Sequence, residues 1–98
     1  MNKLALLTIT ALLSFSSVAD ENTEYCKGIS NLAGSIMELR QDGAPMSDLY
    51  ELLSDSTGIL TIIKLAYQYP MYETSQYKVR EVARFKNQLF MICINQVT

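Results

Sequence analysis

Two cysteines, Cys26 and Cys93, stand near the two ends of the part of this chain that folds, and no third cysteine competes for either. The segment ahead of them makes the pair decisive. Met1-Asn2-Lys3 supplies one positive charge, and Leu4 to Phe15 is an apolar run. Ser16-Ser17-Val18-Ala19 then offers small residues at the −3 and −1 positions of a cut before Asp20. That three-part pattern is read as a secretory signal peptide over residues 1–19. Its apolar run of about twelve residues is short of the roughly 20 that a spanning helix needs. The polar, bulky Asn22-Thr23-Glu24-Tyr25 ahead of Cys26 is unlike a lipoprotein cleavage site, so no stable membrane anchor is expected after cleavage. The expected product is one domain, residues 20–98, exported to the periplasm, with the extracellular medium as the alternative.

In such a compartment an even cysteine count in a small protein is most simply a disulfide. Closing a loop of about 67 residues stabilises a fold by roughly 4 kcal/mol in the chain-entropy model. That is comparable to the whole stability of a domain whose core is this small. A reactive thiol has no support, because the chain contains no histidine to serve as its base.

Between the cysteines the apolar spacing is helical. Cys26, Ile29, Ala33, Ile36 and Met37 form one stripe of a 3.6-residue period, widened by Leu32 and Leu39. Gly43 after Asp42 is a C-cap and Pro45 a stop, so the first helix is expected over about 23–42. Gly28 and Gly34 weaken it and suit close approach of another helix. Ser47 is a candidate N-cap for a short helix carrying Leu49, Tyr50, Leu52 and Leu53. Asp55-Ser56-Thr57 can cap a third, whose Ile59, Leu60, Ile62, Ile63, Leu65 and Ala66 are apolar nearly all round and predict a buried central helix. Tyr69-Pro70 ends it. Thr74 or Ser75 starts the last helix, running to about Asn95, with Val79, Val82, Phe85, Leu89, Ile92 and Cys93 on one side and Arg80, Arg84, Asn87 and Gln88 mostly on the other. Glu81 is placed to pair with Lys78 and Arg84. The expected fold is all-α: a small four-helix domain stapled by one disulfide between its first and last helices, which then lie antiparallel.

Without Lys3, seven basic side chains face ten acidic ones. That balance argues against nucleic acid and anionic membrane surfaces as partners. No histidine and only two distant cysteines leave no transition-metal site. Asp48, Glu51 and Asp55 read as capping charges rather than a calcium loop. Ser75-Gln76-Tyr77-Lys78 matches Ser-x-x-Lys without its companion motifs. The four glycines stand alone, so there is no phosphate loop. No enzyme activity and no cofactor are expected.

Binding remains. The stretch Ala66 to Tyr77, AYQYPMYETSQY, holds four of the six tyrosines around one proline. Tyr67, Tyr69, Tyr72 and Tyr77, with Met71, combine apolar area with hydroxyls and an adaptable thioether, a composition found at binding hot spots. The plainer reading is that two or three of these rings plug the corner between helices. Arg80 and Arg84, one turn apart, either border a partner surface or form a solvated face.

The layout Cys26…Ile36-Met37-Glu38-Leu39-Arg40-Gln41-Asp42-Gly43…Ala66-Tyr67-Gln68-Tyr69-Pro70…Phe85…Cys93 resembles short exported proteins of proteobacteria and their phages. Those share a cysteine, a Met-x-x-Arg-Gln-x-Gly stretch, an Ala-Tyr-x-x-Pro-like turn and a second cysteine. The resemblance covers essentially the whole of residues 20–98 and implies export, helices and the disulfide; it brings no activity with it. It draws notice to Arg40 and Gln41 as a structural pair at a helix end, able to bind the carbonyls of that end or of a neighbouring turn. The leading functional expectation is an exported protein-binding module, an inhibitor, immunity protein or modulator of an envelope enzyme. The alternatives are a periplasmic acid-stress chaperone and a structural or self-associating envelope protein.

Overall fold

The computed structural model describes the backbone of residues 2–53 and 55–98 and the side chains of residues 21–53 and 55–98. The signal peptide expected over residues 1–19 lies outside the described side chains. Four helices follow one another, α1 (Asn2–Gln41), α2 (Met46–Leu52), α3 (Thr57–Ala66) and α4 (Ser75–Val97), and no strand occurs among the described residues. The helix expected to begin at Thr23 therefore begins at Asn2. No glycine or proline precedes Gly28, so no helix-breaking residue interrupts the backbone helix between Asn2 and Thr23.

The long helices α1 and α4 form the frame. Cys26 and Cys93 are joined by a disulfide with Cα atoms 5.6 Å apart, and at the opposite end the Lys78 ammonium donates to the Gln41 carbonyl. Those two ties fix the helices antiparallel. Between them the Ser30 hydroxyl donates to the Lys86 carbonyl at 3.0 Å. The aliphatic chain of Lys86 crosses α1 at Gly34, where an added Cβ would stand 2.7 Å from its Cδ. Gly34 thus permits the close approach; Gly28 meets nothing within 4 Å and has no such use.

Helices α2 and α3 pack onto this frame. The core joins Ala33, Ile36 and Met37 of α1 to Leu49 of α2, Ile62, Ile63 and Ala66 of α3, and Phe85 and Leu89 of α4. The expectation that α3 is the buried central helix is corrected: Ile59, Leu60 and Leu65 are only half-buried, while Thr61 and Lys64, the two breaks in its apolar run, are exposed. Helix α3 flanks α1, and the centre belongs to α1, which meets α3 and α4 together. The buried face of α4 also differs from the expected one. It runs Glu81, Phe85, Leu89, Cys93, a strict four-residue step set by the disulfide register, which leaves Val79 69% exposed.

The helix ends follow capping chemistry with one exception. Gly43 adopts φ +91°, and the Ala44 N–H bonds the Leu39 carbonyl while the Gly43 N–H bonds that of Arg40; this is the Schellman arrangement, which needs a residue without a Cβ at that position. Ser56 and Thr74 accept from the amides of Ile59 and Tyr77. Ser47, expected as an N-cap, lies inside α2; Pro45 holds the cap position with no side-chain bond, its fixed φ already suited to a helix start.

Substituting both cysteines, Cys26→Ser with Cys93→Ser, removes about 4 kcal/mol of stability. The thermal midpoint, followed by circular dichroism against the oxidised parent, falls by roughly 15 °C or more.

Candidate functional site

The segment from Tyr67 to Thr74 connects α3 to α4 and lies against the last turn of α1. Its backbone polar groups find partners on that turn. The Arg40 guanidinium donates from Nε and Nη2 to the Tyr69 carbonyl at 3.2 and 3.1 Å. The Gln41 amide is 1% exposed; its Nε2 donates to the Pro70 carbonyl at 2.9 Å and its Oε1 accepts from the Tyr72 N–H at 2.8 Å. A second, longer contact of Nε2 reaches the Met37 sulfur at 3.5 Å. The orientation of the amide is dictated by its partners, because a flip would set donor against donor and acceptor against acceptor. One adjacent pair of residues on a helix end therefore satisfies three backbone groups of a loop about 30 positions later.

The four tyrosines divide. Tyr67 and Tyr69 pack against the core. The Tyr67 ring lies under the Arg40 guanidinium, 4.9 Å from its centroid, and its hydroxyl donates to the Ala44 carbonyl. Tyr69 meets Phe85 edge-on at 5.8 Å, and its hydroxyl donates to Gln88 Oε1. Both are plugs. Tyr72 is half-buried and pairs with Tyr77, with centroids 5.9 Å apart and planes tilted by 33°. Tyr77 is 51% exposed and so is Met71. The Arg80 guanidinium lies over the Tyr77 ring at 5.5 Å, and Arg84 is exposed one turn further along α4. Of the predicted surface residues, Tyr72, Tyr77 and Arg80 are in contact through the Tyr77 ring. Met71 and Arg84 are exposed to either side of them along the chain, and Tyr67 and Tyr69 pack against the core instead.

Electrostatics sharpen this division. Burial pushes the Tyr67 phenol above its ordinary value of 10.0; Arg40 opposes the shift and Asp48 adds to it. Glu81, expected to pair with Lys78 and Arg84, is buried at 5% exposure and forms no ion pair with either among the described residues. Lys78 instead turns to the Gln41 carbonyl, where a cation suits the negative end of the α1 dipole. Two features escaped the sequence reading. A notch of about 380 Å³ between the end of α1 and the start of α4 is lined by Glu38, Asp42 and Lys78. An apolar groove of about 410 Å³ runs beside the disulfide between Ile29, Ile59 and Ile92. Neither is visible in one-dimensional periodicity, since each takes its walls from different helices. Among the described residues no cluster of three or more metal-ligating side chains occurs, and no described helix is long and apolar enough to cross a membrane. Comparison with known proteins finds no matching family model, no matching curated protein and no matching solved structure.

Gln41→Ala leaves the Pro70 carbonyl and the Tyr72 amide without partners, at a cost of about 2–3 kcal/mol. The readouts are a lowered urea midpoint and faster proteolytic cutting between Tyr67 and Thr74. Tyr67 supplies a pH dependence. Its folded pKa is raised, so the stability it contributes is present below pH 10.0 and is lost as pH rises toward the folded value. Tyr67→Phe loses that component of alkaline destabilisation, measured as a flatter urea midpoint between about pH 9 and 11.

Proposed function

We propose that this is an exported protein-binding module, acting by contact rather than catalysis, and that its contact surface is the outer corner formed by Met71, Tyr72, Tyr77, Arg80 and Arg84. The observation that carries the reading is the Tyr72–Tyr77 ring pair with Arg80 over Tyr77. Tyr77 is exposed on the first turn of α4, and Tyr72 is half-buried on a loop whose backbone is held by Arg40 and Gln41. Tyrosine and arginine dominate binding hot spots. Rings held in place before contact lose little freedom on binding, which raises affinity for a given area. The signal-peptide pattern and the disulfide agree with an oxidising location, the periplasm in this reading. The partner class is an envelope protein that the module inhibits or modulates.

The test compares the oxidised parent with Tyr77→Ala in capture from a native envelope extract. The parent retains one partner stoichiometrically. Tyr77→Ala, with an unchanged circular dichroism spectrum, weakens that capture by at least tenfold, the size of a hot-spot loss of about 2 kcal/mol. Equal capture by both removes this surface from consideration, and promiscuous capture appearing only at acid pH supports a chaperone instead.

A further inference from the structure

Resting on that reading of the α4 corner, we infer that the partner segment it receives is acidic, a stretch of protein presenting carboxylates about one helical turn apart. The charges of this chain are segregated. Helix α4 carries Lys78, Arg80, Arg84 and Lys86 against a single carboxylate, Glu81, and that carboxylate is buried. Glu21, Glu24 and Glu38 lie instead on α1, Asp42 in the turn after it, Asp48 and Glu51 on α2, and Asp55 in the connection after α2. The outward face of α4 is therefore basic in a chain whose formal net charge is −2.

Within that face the two lysines are engaged elsewhere. Lys78 is half-buried on the Gln41 carbonyl, and Lys86 is half-buried across Gly34. Arg80 and Arg84 are exposed, and neither has an ion pair among the described residues, where the only one joins Lys27 to Glu24 at 3.6 Å. Glu73, exposed in the loop beside Tyr72, leaves both guanidinium groups free of itself. Tyr77, Arg80, Arg84, Asn87 and Met91 are all exposed and fall on one line of the helix at steps of three and four. That line is roughly 21 Å long at 1.5 Å per residue, with apolar side chains at its two ends and guanidinium groups between. A guanidinium presents a planar fork that matches a carboxylate bidentately. A neutral or basic partner covering this line leaves two positive charges desolvated without compensation. An anionic membrane fits less well, because surface binding of that kind uses clusters of four to eight basic residues, and here two are free.

The probe is a synthetic helical peptide with glutamates at positions i and i+4 and a leucine beyond each, set against the same peptide with lysines in place of the glutamates. Both are titrated into the oxidised protein while the arginine Nε–Hε resonances are followed by nuclear magnetic resonance. The glutamate peptide shifts Arg80 and Arg84 saturably and leaves Arg40, held on the Tyr69 carbonyl, in place; the lysine peptide does not. Raising the salt from about 50 to 300 mM weakens the binding several-fold. Arg80→Glu with Arg84→Glu abolishes it at an unchanged thermal midpoint, and Arg80→Lys with Arg84→Lys retains only part. No saturable shift up to about 1 mM peptide, equal binding of the two peptides, or stronger shifts with phosphatidylglycerol vesicles each overturn the inference. With the partner captured from envelope extract, loss of binding by Tyr77→Ala but not by the double reversal overturns the acidic segment while leaving the contact surface standing. Indifference to both variants overturns the two together.

Discussion

A primary amide buried at the end of a helix has no water to turn to, and Gln41 is in that position. Its carbonyl and amino groups each require a partner, since leaving either unmade costs more than the bond itself contributes. The partners are the Pro70 carbonyl and the Tyr72 amide, two groups that the proline turn has removed from any helix. The same bonds satisfy the loop and the amide. Around this reciprocity the corner assembles: Arg40 takes the carbonyl of Tyr69, Lys78 returns to the carbonyl of Gln41 itself, and Gly43 lets α1 end abruptly enough for the loop to reach it.

The frame on which this rests is held at its other end by a covalent bond. The disulfide ties Cys26 to Cys93, and the Asn22 side chain reaches the Val97 carbonyl beyond it. With α1 and α4 pinned at both ends, their mutual register is fixed, and so is the rotation of α4. That rotation explains why Glu81 points inward and Val79 outward. It also aligns Tyr77, Arg80 and Arg84 on the outer side. The tyrosines then serve two purposes according to their position along the connection: those near α3 fill the space between helices, and those near α4 remain available.

Much of this was readable from residue types alone. Helix ends at Gly43, Ser56 and Thr74 are encoded by local chemistry, conformational freedom in the first case and side-chain acceptors in the others. The all-α architecture follows from apolar spacing, and the pairing of Cys26 with Cys93 leaves no alternative in an oxidised monomer with two cysteines. Periodicity failed where several faces are apolar or where one register among several must be chosen. Helix α3 has too many isoleucines and leucines to reveal which side packs, and α4 offers two overlapping stripes one residue apart. A disulfide and a helix-end lysine, not hydropathy, selected between them.

The division between local and long-range causes is clear at the corner itself. Composition and spacing placed four tyrosines around Pro70 and two arginines in the next helix, because those facts are written within a dozen or so residues. Which rings pack and which stay exposed depended on contacts made across roughly 30 positions, from Arg40, Gln41 and Ala44 to Tyr67, Tyr69 and Tyr72. No local preference of a tyrosine distinguishes these outcomes. Burial is assigned by whichever surface arrives to cover the ring, and that surface exists only once α1 and α4 have been brought side by side.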